Sequence, residues 1–184
     1  MKLDEIDRKI LSILKENGRI SLTELGEKIG MSHVGVKKRL DKLYDVIKVS
    51  PVINLEDLKF RVILVSIETQ NYEEQKEIIE KFKNCPRILF ILKTTGEYNT
   101  LIGMIAENKD VEESIKGSCS IRTLERIRRS EVEIGELVYP QYVQSSIFGK
   151  SNSKKAPCER KCSECLRYKE KKCLGCPATI YYRC

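Results

Sequence analysis

The spacing of apolar residues changes along this chain, and the change limits the folds open to it. Up to residue 43, apolar side chains recur at steps of three and four, which is typical of amphipathic helices. From residue 60 to residue 142, short strand-like runs alternate with helical stretches in the order βαββαβ. We therefore predict an α+β chain, with a helical domain followed by a ferredoxin-like antiparallel sheet that carries helices on one face.

The N-terminal helices carry recognisable start and stop signals. Ser21 and Glu24 stand at capping-box spacing before the second helix, and Gly30 is placed to end it. Ser32 is a good N-cap for a third helix whose outer side is basic. A tight turn joins the second and third helices, and the outer face of the third is basic. This arrangement predicts a helix-turn-helix domain, of the winged or the plain type.

The third helix has the features of a DNA-recognition helix. A helix fits the major groove, its first turns reach base edges, and its cationic side chains lie near phosphates. The predicted DNA-binding residues are Ser32, His33, Val34, Lys37, Lys38, Arg39 and Lys42. For Arg39 and Lys42 an internal acidic partner is an alternative to phosphate, and a merely solvated basic face is the alternative for the whole helix.

The strand-rich region predicts an oligomerisation domain. Strands are expected at 62–67, 88–93 and 99–106, helices at 72–84 and 110–119, and a last extended segment at 121–138. Thr95-Gly96-Glu97 is a turn signal between the second and third strands. Because helices cover only one face of such a sheet, we expect the other apolar face to meet a second copy of the chain.

Five motifs in order carry a resemblance to a known family. They are Leu3 to Leu11 followed by Asn17-Gly18-Arg19, Leu25-Gly26, Ile29-Gly30-Met31-Ser32, the set Ser32, Val36, Arg39 and Leu43, and Thr95-Gly96-Glu97-Tyr98-Asn99. With them, the first 142 residues resemble the Lrp/AsnC (feast/famine) family of prokaryotic transcription regulators. The resemblance implies a homodimer on double-stranded DNA, often built into a homo-octamer. It also implies a small-molecule effector, an amino acid or a related compound, bound between sensing domains.

The resemblance places the effector site at Gly96, Tyr98 and Asn99. Asn99 stands where the family loop carries aspartate, so it offers a neutral amide instead of a charge for an ammonium group. An ordinary amino acid is therefore less favoured as the effector, and these residues could instead simply build a tight turn. The resemblance extends to siroheme decarboxylases, but the single histidine, His33, lies on the predicted recognition helix. We therefore expect no enzyme activity, with a siroheme-decarboxylase-like enzyme as the alternative.

The end of the chain is rich in cysteine and basic residues. Residues 150–184 hold 10 Lys and Arg against 3 Glu, which accounts for the whole formal charge of +7. Two Cys-x2-Cys pairs, Cys162 with Cys165 and Cys173 with Cys176, suit a tetrahedral zinc ion (Zn²⁺). Cys158 and Cys184 could substitute for them. An iron–sulfur cluster is the alternative cofactor, and disulfides, free thiols or a metal or redox sensor remain open. We expect Cys85 and Cys119 to be ordinary buried residues.

The expected organisation follows from these segments. We predict a helix-turn-helix domain at 1–50, a hinge at 51–59, a ferredoxin-like domain at 60–142, a flexible linker at 143–157 and a metal-binding tail at 158–184. The first residues alternate charged and apolar side chains, unlike a secretion signal, and no apolar run approaches the ~20 residues of a membrane helix. We therefore expect a cytoplasmic location, where clustered cysteines favour metal binding over disulfides.

Overall fold

The chain forms two compact units that divide between Ser50 and Pro51. The structure is a computed structural model, and it describes residues 2–149 and 151–183. Among the described residues, no helix is both long and apolar enough to cross a membrane.

The first unit is a bundle of three helices, α1 (Glu5–Glu16), α2 (Leu22–Ile29) and α3 (His33–Leu43). Their buried faces meet in a small core made of Ile10, Leu25, Val36, Leu40 and Leu43. The predicted N-caps are confirmed, since Ser21 Oγ accepts from Glu24 N and Ser32 Oγ accepts from Gly35 N. A reciprocal capping box is present at the start of α1, where Asp4 and Asp7 exchange side-chain-to-backbone hydrogen bonds.

The turn between α2 and α3 depends on two glycines. Gly30 adopts a left-handed conformation with φ of 72°, which a residue without Cβ allows at little cost. Gly26 is buried in α2, and a Cβ there would clash with the carbonyl oxygen of Met31, closer than real Cβ atoms approach any neighbour. The turn therefore packs directly on the backbone of α2, which fixes where α3 begins.

The second unit contains the predicted ferredoxin-like sheet. Its strands are β2 (Arg61–Glu68), β3 (Ile88–Lys93), β4 (Thr100–Ala106) and β5 (Arg129–Gly135), and the short strand β1 (Val52–Asn54) precedes them in the chain. All neighbours are antiparallel, in the order β3-β4-β2-β5. Two helices, α4 (Tyr72–Phe82) and α5 (Lys109–Gly117), pack on one face of the sheet. Side chains at alternate positions of β2, such as Ile63 and Val65, are fully buried against them.

The last extended segment is shorter than predicted. A short helix, α6 (Ser120–Thr123), comes first, and β5 begins only at Arg129. Ile121 is fully buried in the main core, although its neighbours in the sequence, Ser120 and Arg122, are polar. Because one turn of helix buries a single apolar residue without a repeating pattern, periodicity could not separate it from the strand.

The predicted hinge and linker both contribute ordered structure. The hinge region holds β1, which pairs antiparallel with β6 (Tyr142–Gln144) at the start of the predicted linker. Ile147 is fully buried with Leu55, Val62 and Ile105 in a second core on the other side of the sheet. These contacts tie the start of the predicted linker to the sheet.

The tail folds against the helical face of the second unit. It contains a short 3₁₀ turn (Cys162–Glu164) and the four-residue helix α7 (Leu166–Lys169). Arg167 Nε donates to Ser114 Oγ at 2.9 Å, and Ser114 Oγ donates to Lys172 O at 3.2 Å. Cys158 and Leu174 pack against the main core. The tail is therefore a part of the second unit.

Candidate functional site

The outer face of α3 is basic and exposed. Ser32, His33, Lys37, Lys38 and Lys42 are all exposed, and Val34 is 50% exposed. Ser32 also uses its hydroxyl as the N-cap acceptor, so this side chain defines the first turn of α3. The predicted DNA-binding residues, with Arg39 excepted, therefore share one accessible surface at the start and middle of a helix, which we call the α3 surface.

Arg39 differs from the other predicted DNA-binding residues. Its guanidinium contacts Asp4 Oδ2 at 2.6 Å and Asp7 Oδ1 at 2.7 Å, so it has the internal acidic partner that was the alternative to phosphate. The hydrogen bond from the Asp7 backbone, and then that from Arg39, lower the pKa of the Asp4 carboxyl. This link between α1 and α3 is therefore complete above the ordinary pKa of aspartate and weakens only as the pH falls below it. We assign Arg39 to holding α3 in place.

Gly35 lies within α3, where glycine costs ~1 kcal/mol relative to alanine. A Cβ at this position would come within 3.0 Å of Met31 Cε, the end of a flexible side chain. Packing within the unit therefore does not demand glycine here, which leaves a close approach by a partner at the α3 surface as one reason for it.

The predicted effector loop connects β3 to β4, and its Asn99 is already engaged. Asn99 Nδ2 donates to Thr69 O at 3.0 Å, while Asn99 Oδ1 accepts from Thr69 N at 3.2 Å. The side-chain amide of Asn99 thus bonds the backbone of Thr69 as a neighbouring strand would, with one donor and one acceptor. These two hydrogen bonds hold the loop against the end of β2. The Asn99 side chain therefore has a structural role, bonding Thr69, that the sequence did not predict.

Tyr98 and Gly96 are differently placed in this loop. The Arg129 guanidinium lies 4.8 Å from the centre of the Tyr98 ring, a cation–π distance. The hydrogen bond with Glu131 raises the pKa of the Tyr98 hydroxyl most, and partial burial raises it further. Gly96 has no neighbour within 4 Å of where a Cβ would stand, so it is open to solvent. The loop therefore presents an aromatic and charged surface, with Asn99 behind it as a brace.

Replacing Asn99 with aspartate, the residue typical of the family, is expected to destabilise the second unit by about 1–3 kcal/mol. The change removes the donor to Thr69 O and sets a carboxylate against that carbonyl oxygen. Urea denaturation followed by circular dichroism measures the loss. Glu97→Gln, on the exposed side of the same loop, is the control and should change the free energy of unfolding little. Equal stability of Asn99→Asp and the parent protein would contradict the bracing role.

The cysteines converge on a cavity between the tail and the helical face of the second unit. All five described tail cysteines border it, together with Cys85 and Cys119. We call it the cysteine cavity. Cys184 lies outside the described residues. In ranges 2–149 and 151–183, no three Cys, His, Asp or Glu side chains are grouped so as to hold a single metal ion. The arrangement thus does not support zinc at Cys162, Cys165, Cys173 and Cys176, which stays a prediction.

Comparisons with known proteins identify similar transcriptional regulators. A profile of the AsnC-type helix-turn-helix domain matches residues 3–44. The transcriptional regulator Ptr1 of Methanocaldococcus jannaschii is 34% identical over 113 residues, which cover 60% of this chain and 75% of Ptr1. The transcriptional regulator FL11 of Pyrococcus furiosus is 27% identical over 114 residues, which cover 59% of this chain and 74% of FL11.

Solved structures show the same two-domain fold. E. coli AsnC superposes with a TM-score of 0.63 at 20% identity, covering 73% of this chain and 92% of AsnC. A regulator from Neisseria meningitidis, solved as a complex with L-Met, gives 0.64 at 22% identity and covers 78% of this chain and 96% of its own. The exposed basic helix and the ferredoxin-like domain thus define a DNA-binding transcription regulator. The chain belongs to the Lrp/AsnC family, in agreement with the resemblance seen in its sequence.

Proposed function

We propose that the protein binds double-stranded DNA as a homodimer, with the α3 surface of each copy in a major groove. The observation that carries this proposal is the row of exposed cationic side chains on α3, held in place by Arg39 and by the tight turn at Gly30. Lys37 and Lys38 lie one turn inside the helix, where side chains reach both base edges and phosphates. His33 and Val34 are exposed in the first turn and can contact bases.

The homodimer is supported by the outer face of the sheet. Phe90 is 39% exposed and Leu92 is 49% exposed on β3, and Leu64 and Leu101 lie half-buried on the neighbouring strands. A second copy of this face would cover these apolar side chains, as the sheet face without helices requires. Two-fold symmetry then places two α3 surfaces on two half-sites about one or more helical turns of DNA apart.

Replacing both Lys37 and Lys38 with alanine is expected to weaken DNA binding without unfolding the first unit, because both side chains are exposed. For each phosphate that the variant no longer neutralises, the slope of log affinity against log salt should fall by roughly 0.9. The probe is a duplex selected from a randomised DNA pool with the parent protein, and binding is measured from low to moderate salt. Footprinting of the same duplex should show two equivalent half-sites.

The matched control is Lys15→Ala, which removes an exposed lysine from α1 of the same unit. It should leave both the affinity and the salt slope close to those of the parent protein. An equal loss of affinity in the control, or no loss in the double variant, would count against DNA binding by α3.

The loop around Tyr98 supports a role for a small-molecule effector. Its exposed face combines the Tyr98 ring, the Arg129 guanidinium and nearby carboxylates, a surface suited to a compact polar molecule. The Neisseria meningitidis regulator of the same fold was solved with L-Met, which supports a compound related to an amino acid here, whereas Asn99 offers no charge for the ammonium group of an ordinary amino acid. Binding would act on DNA affinity through the assembly of the sheet faces.

A further inference from the structure

The cysteine cavity brings together thiols that are far apart in the chain. Cys85 follows the end of α4, Cys119 precedes α6, and the other five belong to the tail. The seven described cysteines are all free thiols, although they border the same space. Because DNA binding by α3 requires none of them, this concentration of sulfur needs a separate explanation.

The size of the cavity distinguishes between metal centres. The cavity has a volume of about 90 Å³. Four thiolates bound to one zinc ion at about 2.3 Å close around it and leave no comparable space. Here seven cysteines are among the residues that line a space larger than a single ion, and their number exceeds the four that zinc requires. A polynuclear centre that contributes its own inorganic sulfide fits such a space better.

The walls suit a negatively charged centre. Arg87 and Arg160 line the cavity, and none of its described lining residues is an acid. Arg87 is only 8% exposed and keeps its charge through its bonds with Glu107. A cluster bound by four thiolates carries net negative charge. The half-buried guanidinium of Arg160 offsets part of it, whereas the charge of Arg87 is already balanced by Glu107. The remaining lining is mostly apolar, including Met104 and Ile115, and Ser114, Ser118 and Tyr168 add polar groups.

Backbone N–H groups point at the sulfurs, as they do around thiolates bound to metal. Gly175 N donates to Cys173 Sγ at 3.4 Å. Gly175 has φ of 86°, and a Cβ there would clash with the carbonyl oxygen of Tyr181, so the loop between Cys173 and Cys176 has one defined shape. Such hydrogen bonds to sulfur tune the potential of iron–sulfur clusters.

From this geometry we propose that the cysteine cavity binds an iron–sulfur cluster of the [4Fe–4S] type. The cluster would be held by four of the five described tail cysteines, Cys162 and Cys176 among them, with Cys85 and Cys119 forming its floor. Pro177 follows Cys176 directly, as it does in a common cluster-binding motif. The cluster would fasten the tail to the ferredoxin-like domain. This inference is independent of DNA binding by α3.

Metal analysis of the full chain tests the proposal directly. The protein is purified without oxygen and, in a parallel sample, reconstituted with sulfide and equal amounts of ferrous and ferric iron, because a resting [4Fe–4S]²⁺ centre holds two ions of each. We expect about four iron and four sulfide per chain, with broad visible absorption that bleaches on reduction. One zinc per chain without sulfide overturns the proposal. Failure of the reconstituted sample to take up iron and sulfide also overturns it.

Variants then locate the ligands. Cys162→Ser and Cys176→Ser should each lose at least half of the iron and of the visible absorption, because each removes one of the four thiolates. Ser163→Ala changes an exposed residue between two cysteines and is the matched control. Cys85→Ala should retain the iron, since its thiol belongs to the floor. Circular dichroism checks that each variant is folded, and full iron in both serine variants would contradict the assignment.

Discussion

Replacing Arg87 with methionine is expected to destabilise the second unit by about 3–5 kcal/mol. Its guanidinium donates to both oxygens of Glu107, at 2.8 and 2.7 Å. The side chains of the pair are only 10% and 5% exposed. Burial lowers the pKa of Arg87, but the hydrogen bonds to Glu107 outweigh burial and raise it. Methionine would fill the space and leave Glu107 buried without a cation, which is the main source of the loss.

Urea denaturation of the full chain, with hydrogen exchange of the β4 amides to isolate the second unit, measures this loss. Lys83→Met is the control, because Lys83 pairs with Glu80 on the surface and the two side chains are 50% and 57% exposed. An exposed pair of this kind contributes about 0–1 kcal/mol. If both variants lost the same small amount, the buried pair would not hold the unit together.

Replacing Gly26 with alanine should remove DNA binding by disrupting the helix-turn-helix. Alanine is the better helix former by ~1 kcal/mol, but its Cβ would clash with the carbonyl oxygen of Met31. That oxygen belongs to the backbone of the turn, so relief requires α3 to move away from α2. Overpacking of this kind costs about 1–3 kcal/mol. Thermal unfolding of the first unit and binding to the selected duplex report the two consequences.

Gly18→Ala provides the comparison within the same unit. The nearest atoms to a Cβ at Gly18 are Leu14 O at 3.7 Å and Val49 Cγ1 at 3.8 Å, which are ordinary contacts. This variant should keep both the melting temperature and the DNA affinity. A Gly26→Ala protein that bound DNA as well as Gly18→Ala would show that the turn tolerates a displaced α3.

Features set by neighbouring residues could be predicted from the sequence. The caps at Ser21 and Ser32 and the left-handed Gly30 depend on a few adjacent residues, and the alternation along β2 depends on one strand. Arg39 shows the limit of such inference. Its charge and its helix were predictable, but its ion pairs with Asp4 and Asp7 depend on how α1 crosses α3.

The cysteines show the same limit more strongly. Cys85 and Cys119 were predicted to be small buried residues, but both are only partly buried and line the cavity, where burial raises the pKa of their thiols. Their shared cavity with the tail results from the packing of segments that are distant in the chain. Asn99 is a similar case, because its partner Thr69 is 30 residues away in the chain. Residue spacing in the sequence does not predict contacts between segments that are distant in the chain.

The position of the tail changes what its removal would mean. Leu174 and Cys158 pack against the main core, and Tyr182 Oη donates to the buried Glu107 at 3.0 Å. A chain cut before residue 150 would expose this interior and leave Glu107 with one partner fewer. The tail is the outermost layer of the domain and belongs to its folding unit. Point substitutions are therefore a cleaner probe of its role than truncation.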